Sequence, residues 1–403
     1  MPPTQVPGLR NMVLSLPEVE SRYTIASAPD VLTPALALYV DCVDANIATT
    51  LRLLDNDATR WRPHVKTAKL KLTMRRLMAH GVTNLKCTTS LELLTACEAG
   101  GRDVLVAYPV IGRSAERVVE IAKQFPAVSV SALVENIESV QRWRATDIGL
   151  FVDVNPGMNR TGIEQHRTDD IVALARAIVA AGIRFRGLHC YEGHLAGPDL
   201  PERIAAAHAV YARLLQIEEA LAQAGFPAPE IVTSGTPGLP CSLQYEPFRN
   251  RRFLHRVSPG TVVYGDATSL AQLPPEYGYV PAALVVTTVV SHPAANVITC
   301  DAGHKTLSAD AGVPNCLVLG HPELEALAPS EEHLPILAPN GGPLPAIGQT
   351  LYLLPRHICP TVNNFDEALI IRNGDIAATE PVSARGREAP VQAGDLRVPA
   401  TLH

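Results

Sequence analysis

The sequence lacks the features that would take it into or across a membrane. Its longest strongly apolar run, Pro281 to Ser291, falls well short of the ~20 residues a bilayer span requires. Met1 to Arg10 carries no apolar core and no early basic run, which argues against a secretory leader. The eight cysteines, Cys42, Cys87, Cys97, Cys190, Cys241, Cys300, Cys316 and Cys359, include no CxxC pair and no small-scaffold spacing. A reduced, cytoplasmic protein is therefore expected, with no disulfide framework. A formal charge of -6 leaves no basic footprint for nucleic acid. No internal repeat is visible, and the 34 prolines and 27 glycines are too dispersed to mark a low-complexity tract.

What is present is an ordinary globular composition, 47% hydrophobic and 18% charged over 403 residues, enough for two domains. Eight strand-like runs occur at Trp61–Lys66, Asn84–Cys87, Asp103–Tyr108, Val128–Leu133, Gly149–Asp153, Phe185–Tyr191, Glu230–Ser234 and Val257–Val263. Helical patterns lie between most of them, at Lys69–His80, Ser90–Ala99, Ala115–Gln124, Asn136–Arg144, Asp169–Ala181 and Ile204–Ala224. Thr89 and Glu92 make a capping box for the second of these, and Gly225 stops the last. Eight strands alternating with helices predict an α/β fold, a (β/α)8 TIM-like barrel. A doubly wound sheet is the competitor, but no GxGxxG opens the first unit.

After Asp266 helical periodicity nearly vanishes. Val285–Ser291, Ala295–Asp301, Asn315–Gly320, Gln349–Leu354 and Glu367–Arg372 read as strands, and Asn373-Gly374 suits a type I′ hairpin. The expected organisation is a barrel over residues 30–266 and a C-terminal all-β domain over 267–403. Residues 30–45, with the run Ala35–Asp41, fit either unit.

Several residues are chemically suggestive. Lys66, in "WRPHVKTAK" beside His64, ends a strand-like run, and the C-terminal ends of barrel strands form the active face. Partial desolvation there would free its amine for a Schiff base, although any strand-end lysine is as readily a surface residue. Lys69 and Lys71 fall within the predicted helix and should point outward. His357 and Cys359, in "PRHICPT", share one face if that segment is a strand. An imidazole and a thiolate suit zinc better than Mg2+ or Mn2+, and two ligands leave open positions, as a catalytic metal needs. A satisfied histidine beside a buried cysteine is the plainer alternative. "TSGTPG" (Thr233 to Gly238, with Gly235 and Thr236) and "SPGTVVYGD" (Ser258 to Asp266, with Gly260 and Thr261) fall at strands seven and eight, the usual phosphate site of a barrel. "HCYEGH" offers His189, Tyr191 and His194, and "NPGMNRTG" offers Arg160 at the same rim.

"RPHVKTAK" together with "HICPT" resembles the fold-type III pyridoxal-phosphate enzymes, in the branch of D-threonine aldolases and D-serine dehydratases with an alanine-racemase-type barrel. "EPVSARG" (Glu380 to Gly386) and "SEEH" (Ser330 to His333) are also similar. The resemblance implies that Lys66 holds pyridoxal 5'-phosphate. It implies that His64, Arg160, His189, Tyr191, Gly235, Thr236, Gly260 and Thr261 surround that cofactor, and that His357 and Cys359 hold a metal. It further implies a homodimer acting on a small D-amino acid, with neither nucleic acid nor membrane as partner. Cys359, where the aldolases of this branch carry aspartate, favours zinc and the dehydratase side. "YEGH" is closer to the aldolases, and Ala68 stands where histidine is commoner. The leading expectation is loss of water from a D-β-hydroxy amino acid, such as D-serine or D-threo-3-hydroxyaspartate, to a keto acid and ammonia. Retro-aldol cleavage to glycine and an aldehyde is the near alternative, and racemisation a further one.

Overall fold

The computed structural model describes residues 16–390 apart from 198, 250, 340 and 341. The leader reading of Met1 to Arg10 and the end of the expected C-terminal domain, 391–403, lie outside the described residues. Strand β1 (Ala35–Tyr39) is followed by the strands of a parallel sheet. These are β2 (Asn84–Cys87), β3 (Asp103–Val106), β4 (Ser129–Val134), β5 (Gly149–Asn155), β6 (Ile163–Glu164), β7 (Phe185–Cys190), β8 (Glu230–Thr233) and β9 (Leu254–Val257). The order is β2-β3-β4-β5-β7-β8-β9, with β6 attached to β5.

Helices Lys71–Ala79, Ser90–Ala99, Gly112–Gln124, Ile137–Val140, Thr168–Ala180 and Leu200–Gln223 separate these strands. Thr89 and Glu92 form the expected reciprocal cap. All seven residues of β5 are buried, as in a parallel strand covered on both faces, and its apolar start gives way to buried Asp153 and Asn155 at the C-terminal end. Alternation sorts the side chains: Val104 and Val106 join the core shared with the helices. Leu105 forms a separate small cluster with Leu133, Phe151 and Val232.

The regular ladders make a curled parallel sheet, consistent with the expected barrel, but they do not themselves close it into an eight-stranded ring. The predicted first strand, Trp61–Lys66, is reduced to two isolated bridges, Trp61 to Val257 on β9 and His64 to Lys86 on β2. Pro63 explains the interruption, because it has no N–H to donate and can only accept from the Lys86 amide. The predicted eighth strand lies too late in the chain. β9 ends at Val257, just before Pro259 and Gly260, and Thr261–Val263 form a 3-10 turn instead.

A separate, mostly-β C-terminal domain follows. Its strands are β10 (Ala283–Ala294), β11 (Val297–Cys300), β12 (Cys316–Val318), β13 (Glu325–Ala326), β14 (Leu334–Leu337), β15 (Thr350–Pro355), β16 (Glu367–Arg372) and β17 (Asp375–Pro381). β1 joins this second sheet, antiparallel to β10 and parallel to β16. Asn373 and Gly374, at φ +52 and +82, make the β16–β17 hairpin as type I′ geometry requires. No described helix is long and apolar enough to cross a membrane, and all eight cysteines are free thiols.

Candidate active site

A cleft of about 740 Å³ opens where the C-terminal ends of the parallel strands meet the β-domain. His64, Lys66, Arg160, His189, Tyr191, Gly235, Thr236, Gly260, Thr261, His357 and Cys359 all line it, so residues from both ends of the chain converge there. His194 is exposed and does not line it.

Lys66 sits in a turn just beyond the His64 bridge. Its side chain is exposed, so the expected partial desolvation does not hold. The turn is fixed by His64, whose Nδ1 accepts from the Lys66 amide at 3.3 Å while Nε2 meets Thr88 Oγ1 at 3.0 Å. Both ring nitrogens are thereby engaged. Burial, with the charges of Lys66 and Lys86, holds the His64 pKa well below the usual histidine range, so the ring is neutral. Lys69 departs from its expected outward position. It precedes the helix at φ +38, is buried, and pairs with Glu92 at 3.1 Å. Lys71 instead lies at the surface against Glu98, at 2.5 Å.

One side of the Lys66 turn is built for an oxyanion. Ser234 adopts φ +54, and the Ser234 and Thr236 hydroxyls are buried without a hydrogen-bond partner. A Cβ on Gly260 would lie 2.2 Å from the His64 carbonyl oxygen, and one on Gly238 would lie 2.5 Å from Glu192 Oε1. At Gly260 only glycine lets the two backbones approach, and at Gly238 it leaves room for the Glu192 side chain. Orphaned buried hydroxyls are costly unless a ligand satisfies them.

Tyr191 occupies the middle of the cleft, with Arg160 Cζ 5.0 Å and Lys86 Nζ 5.7 Å from its ring centroid. Gly193 is required here, because its Cβ would meet the Tyr191 ring at 2.3 Å. His189 is buried and its Nδ1 meets Asp153 Oδ1 at 2.7 Å, while Asp153 Oδ2 accepts from Thr161 at 2.7 Å. Burial lowers the His189 pKa, Asp153 opposes this, and the Lys86 and Arg160 charges lower it further. The Asp153 carboxylate thus fixes the Nδ1 side of a ring that lines the cleft.

Sequence reasoning missed three groups of this site. Asp153 and Glu192 are buried carboxylates, the latter bound to Tyr211 and the Ser234 amide at 2.5 and 3.1 Å. Lys86 is 3% exposed, and burial together with the charge of Lys66 pushes its pKa down to about 7. A polar residue in a short strand reads as outward-facing, and only the curl of the sheet turns Lys86 inward. The one available signal was the alternation in Asn84–Cys87, which puts Leu85 and Lys86 on opposite faces.

His357 and Cys359 do not share a strand. β15 stops at Pro355, and His357 caps the short helix Ile358–Val362, with Cys359 in its first turn. Buried Asp266 anchors the segment by accepting from the Ile358 amide at 3.0 Å. His357 Nδ1 meets Asp310 Oδ2 at 2.7 Å, and Cys359 Sγ meets Thr67 Oγ1 at 2.9 Å. Burial pushes the His357 pKa down, but the Cys359 thiolate and Asp310 outweigh it and raise it to about 9. Burial raises the Cys359 pKa, yet His357 and Lys66 carry it below the usual thiol range. Each group thus favours the charged form of the other, and together they offer a nitrogen and a soft sulfur donor of the kind that suits zinc. No group of three or more metal donors occurs among the described residues.

A curled parallel sheet with a lysine at its mouth and a β-domain over one edge defines an alanine-racemase-like enzyme fold. The chain belongs to the family described as "Alanine racemase, N-terminal domain", which matches residues 39–268, and residues 282–371 match a "Putative serine dehydratase domain". It is 27% identical over 398 residues to a 3-hydroxy-D-aspartate aldolase of Paracoccus denitrificans (strain Pd 1222), covering 91% of this chain and 97% of that one. It is 25% identical over 212 residues to a D-threo-3-hydroxyaspartate dehydratase of Delftia sp. (strain HT23), 51% of this chain and 55% of that one. The crystal structure of D-threonine aldolase from Filomicrobium marinum superposes with TM-score 0.80 at 27% identity, over 89% of this chain and 96% of that one.

Proposed function

We propose that this chain is a pyridoxal 5'-phosphate- and zinc-dependent lyase that removes water from a D-β-hydroxy amino acid, leaving a keto acid and ammonia. The observation that carries this reading is the convergence of Lys66 with His357 and Cys359 on one cleft. The catalytic unit comprises the parallel sheet over residues 30–266 and the β-domain over 267–403, with β1 serving the latter. It acts on a small-molecule substrate, as a cytoplasmic homodimer.

The residues fit the cofactor. Lys66 offers an exposed amine, and Gly235, Thr236, Gly260 and Thr261 would hold the phosphate, with the unpartnered Thr236 hydroxyl as one donor. Tyr191, Arg160 and His189 would bound the ring, and His64 holds the lysine turn from behind. Bound there, the cofactor supplies an electron sink for charge developing at the substrate α-carbon. The Lys66 amine, when free, would serve as the base that takes the α-proton. His357 and Cys359, which line the same cleft as Lys66, would hold the metal, and a Lewis acid there would supply the answer to the poor leaving ability of hydroxide.

Cys359 favours elimination. A second reading, retro-aldol cleavage to glycine and an aldehyde, is favoured by the aldolases that match this chain over most of its length. Product analysis with D-serine, D-threonine and D-threo-3-hydroxyaspartate, with and without chelator, separates them. Keto acid and ammonia that disappear with chelator support elimination. Glycine and aldehyde support cleavage, and metal-independent loss of optical activity would replace both with racemisation.

A further inference from the structure

The chemistry proposed above leaves Lys86 unused. Its backbone is fixed beside the Lys66 turn, donating to Pro63 O at 2.9 Å and accepting from the Val65 amide at 2.7 Å. Its side chain is almost wholly buried, borders the cleft, and makes no hydrogen bond or ion pair with any described side chain. Apart from the Tyr191 ring 5.7 Å away it has no partner, and a buried ammonium without an anion is strongly disfavoured, which agrees with its lowered pKa. The charged or titratable groups around it are Lys66, Arg62, His64, His189, Tyr191, Asp153 and Glu192. The two carboxylates are committed elsewhere, Asp153 to His189 and Thr161, Glu192 to Tyr211 and Ser234. A ligand is therefore the source left for an anionic partner to Lys86.

The order of the sheet indicates which anion. The segment carrying Lys66 bridges β9 on one side and β2 on the other. The Gly260-Thr261 turn follows β9, and Lys86 lies on β2. In pyridoxal phosphate the carbon that a lysine captures is flanked on the ring by the phosphate arm and by the phenol oxygen. With the phosphate on the β9 side, the phenol oxygen falls on the β2 side. Resting on the cofactor reading above, we propose that Lys86 is a cofactor-binding residue whose ammonium receives the phenolate oxygen of pyridoxal phosphate held by Lys66.

The test compares wild type with Lys86→Met, which keeps the length without the amine, and with Lys86→Arg, which keeps the cation. Cofactor affinity is read from quenching of tryptophan fluorescence, and the state of the bound cofactor from the pH titration of its visible absorption band. Lys86→Met is expected to weaken binding roughly 10- to 100-fold, the range for losing a hydrogen bond to a charged group. It should also move the titration midpoint to higher pH, because a cation beside the phenolate favours the less protonated form. Lys86→Arg should restore most of both. Without cofactor, Lys86→Met should melt no lower than wild type, since it loses no hydrogen bond or ion pair, only the 5.7 Å approach of its ammonium to the Tyr191 ring, and sheds the cost of a buried cation. Unchanged affinity and titration in Lys86→Met would overturn the role, as would a lower melting temperature without cofactor, which marks a structural lysine. A wild-type protein that forms no visible band with pyridoxal phosphate would instead defeat the cofactor reading itself, and this role with it.

Discussion

Gly260→Ala tests how tightly the phosphate side of the cleft is locked to the lysine turn. The new Cβ would stand 2.2 Å from the His64 carbonyl oxygen and 3.2 Å from the His64 nitrogen. Both are backbone atoms, so no rotamer change relieves the clash. The φ of Gly260 is -116°, open to any residue, so the penalty is one of space alone. Relief requires separating residues 61–64 from 257–261. That strains the Arg62 amide to Val257 O bond at 2.9 Å, Trp61 Nε1 to Pro259 O at 2.9 Å, and Ser258 Oγ to Arg62 O at 2.6 Å. Overpacking costs about 1–3 kcal/mol, and each hydrogen bond that breaks adds about 1 kcal/mol. At about 1–2 °C per kcal/mol for a chain of 403 residues, the melting temperature should fall by about 5 °C. Differential scanning calorimetry checks this against Gly342→Ala, where a Cβ meets nothing within 4 Å. The Gly260 variant should also release pyridoxal phosphate on dialysis while the Gly342 variant retains it. If Gly260→Ala melts and holds cofactor like wild type, the packing argument is wrong.

Lys66→Ala should abolish the visible band formed with pyridoxal phosphate, read by absorbance; a retained band would move the Schiff-base role to another lysine. Cys359→Ala should leave that band in place yet cut turnover at least 100-fold, the scale of losing a key transition-state contact, and bound zinc should drop in elemental analysis. Unchanged turnover in metal-free buffer would contradict it. Asp103 provides the pH test. Burial raises its pKa, but Arg62 and Arg186 outweigh this and hold it down to about 2. A carboxyl depressed on folding stabilises above its unfolded pKa of about 4 and loses that contribution as pH falls towards 2. Urea unfolding between pH 5 and 2 should therefore lose stability less steeply in Asp103→Asn than in wild type, and equal slopes would exclude this linkage.

Much of the architecture was legible because local rules agreed with the fold. Helix Ser90–Ala99 runs between its expected bounds because Thr89 and Glu92 supply a complete cap. The β16–β17 hairpin forms at Asn373-Gly374 because both residues tolerate positive φ. The departures come from single residues that override a periodic signal. Pro63 breaks the strand before Lys66, and Pro259 with Gly260 ends β9 before the apolar Val262 and Val263. Pro355 ends β15 ahead of His357. The cleft-lining motifs were visible because glycines, a strand-end lysine and an HxC pair have distinctive composition. Lys86, Asp153 and Glu192 were not, because their character depends on burial and on partners distant in sequence. Arg62 makes the same point in the interior. It is wholly buried against Asp103 and Glu230, a pairing that no local pattern announces.

The central claim is that one cleft holds the cofactor on Lys66 and a metal on His357 and Cys359. Diffraction from crystals grown with pyridoxal 5'-phosphate and zinc, including anomalous data at the zinc edge, tests it most directly. The account predicts continuous density from Lys66 Nζ to the cofactor and an anomalous peak bonded to His357 and Cys359. Cofactor attached to a different lysine, or zinc bound away from that pair, would contradict it.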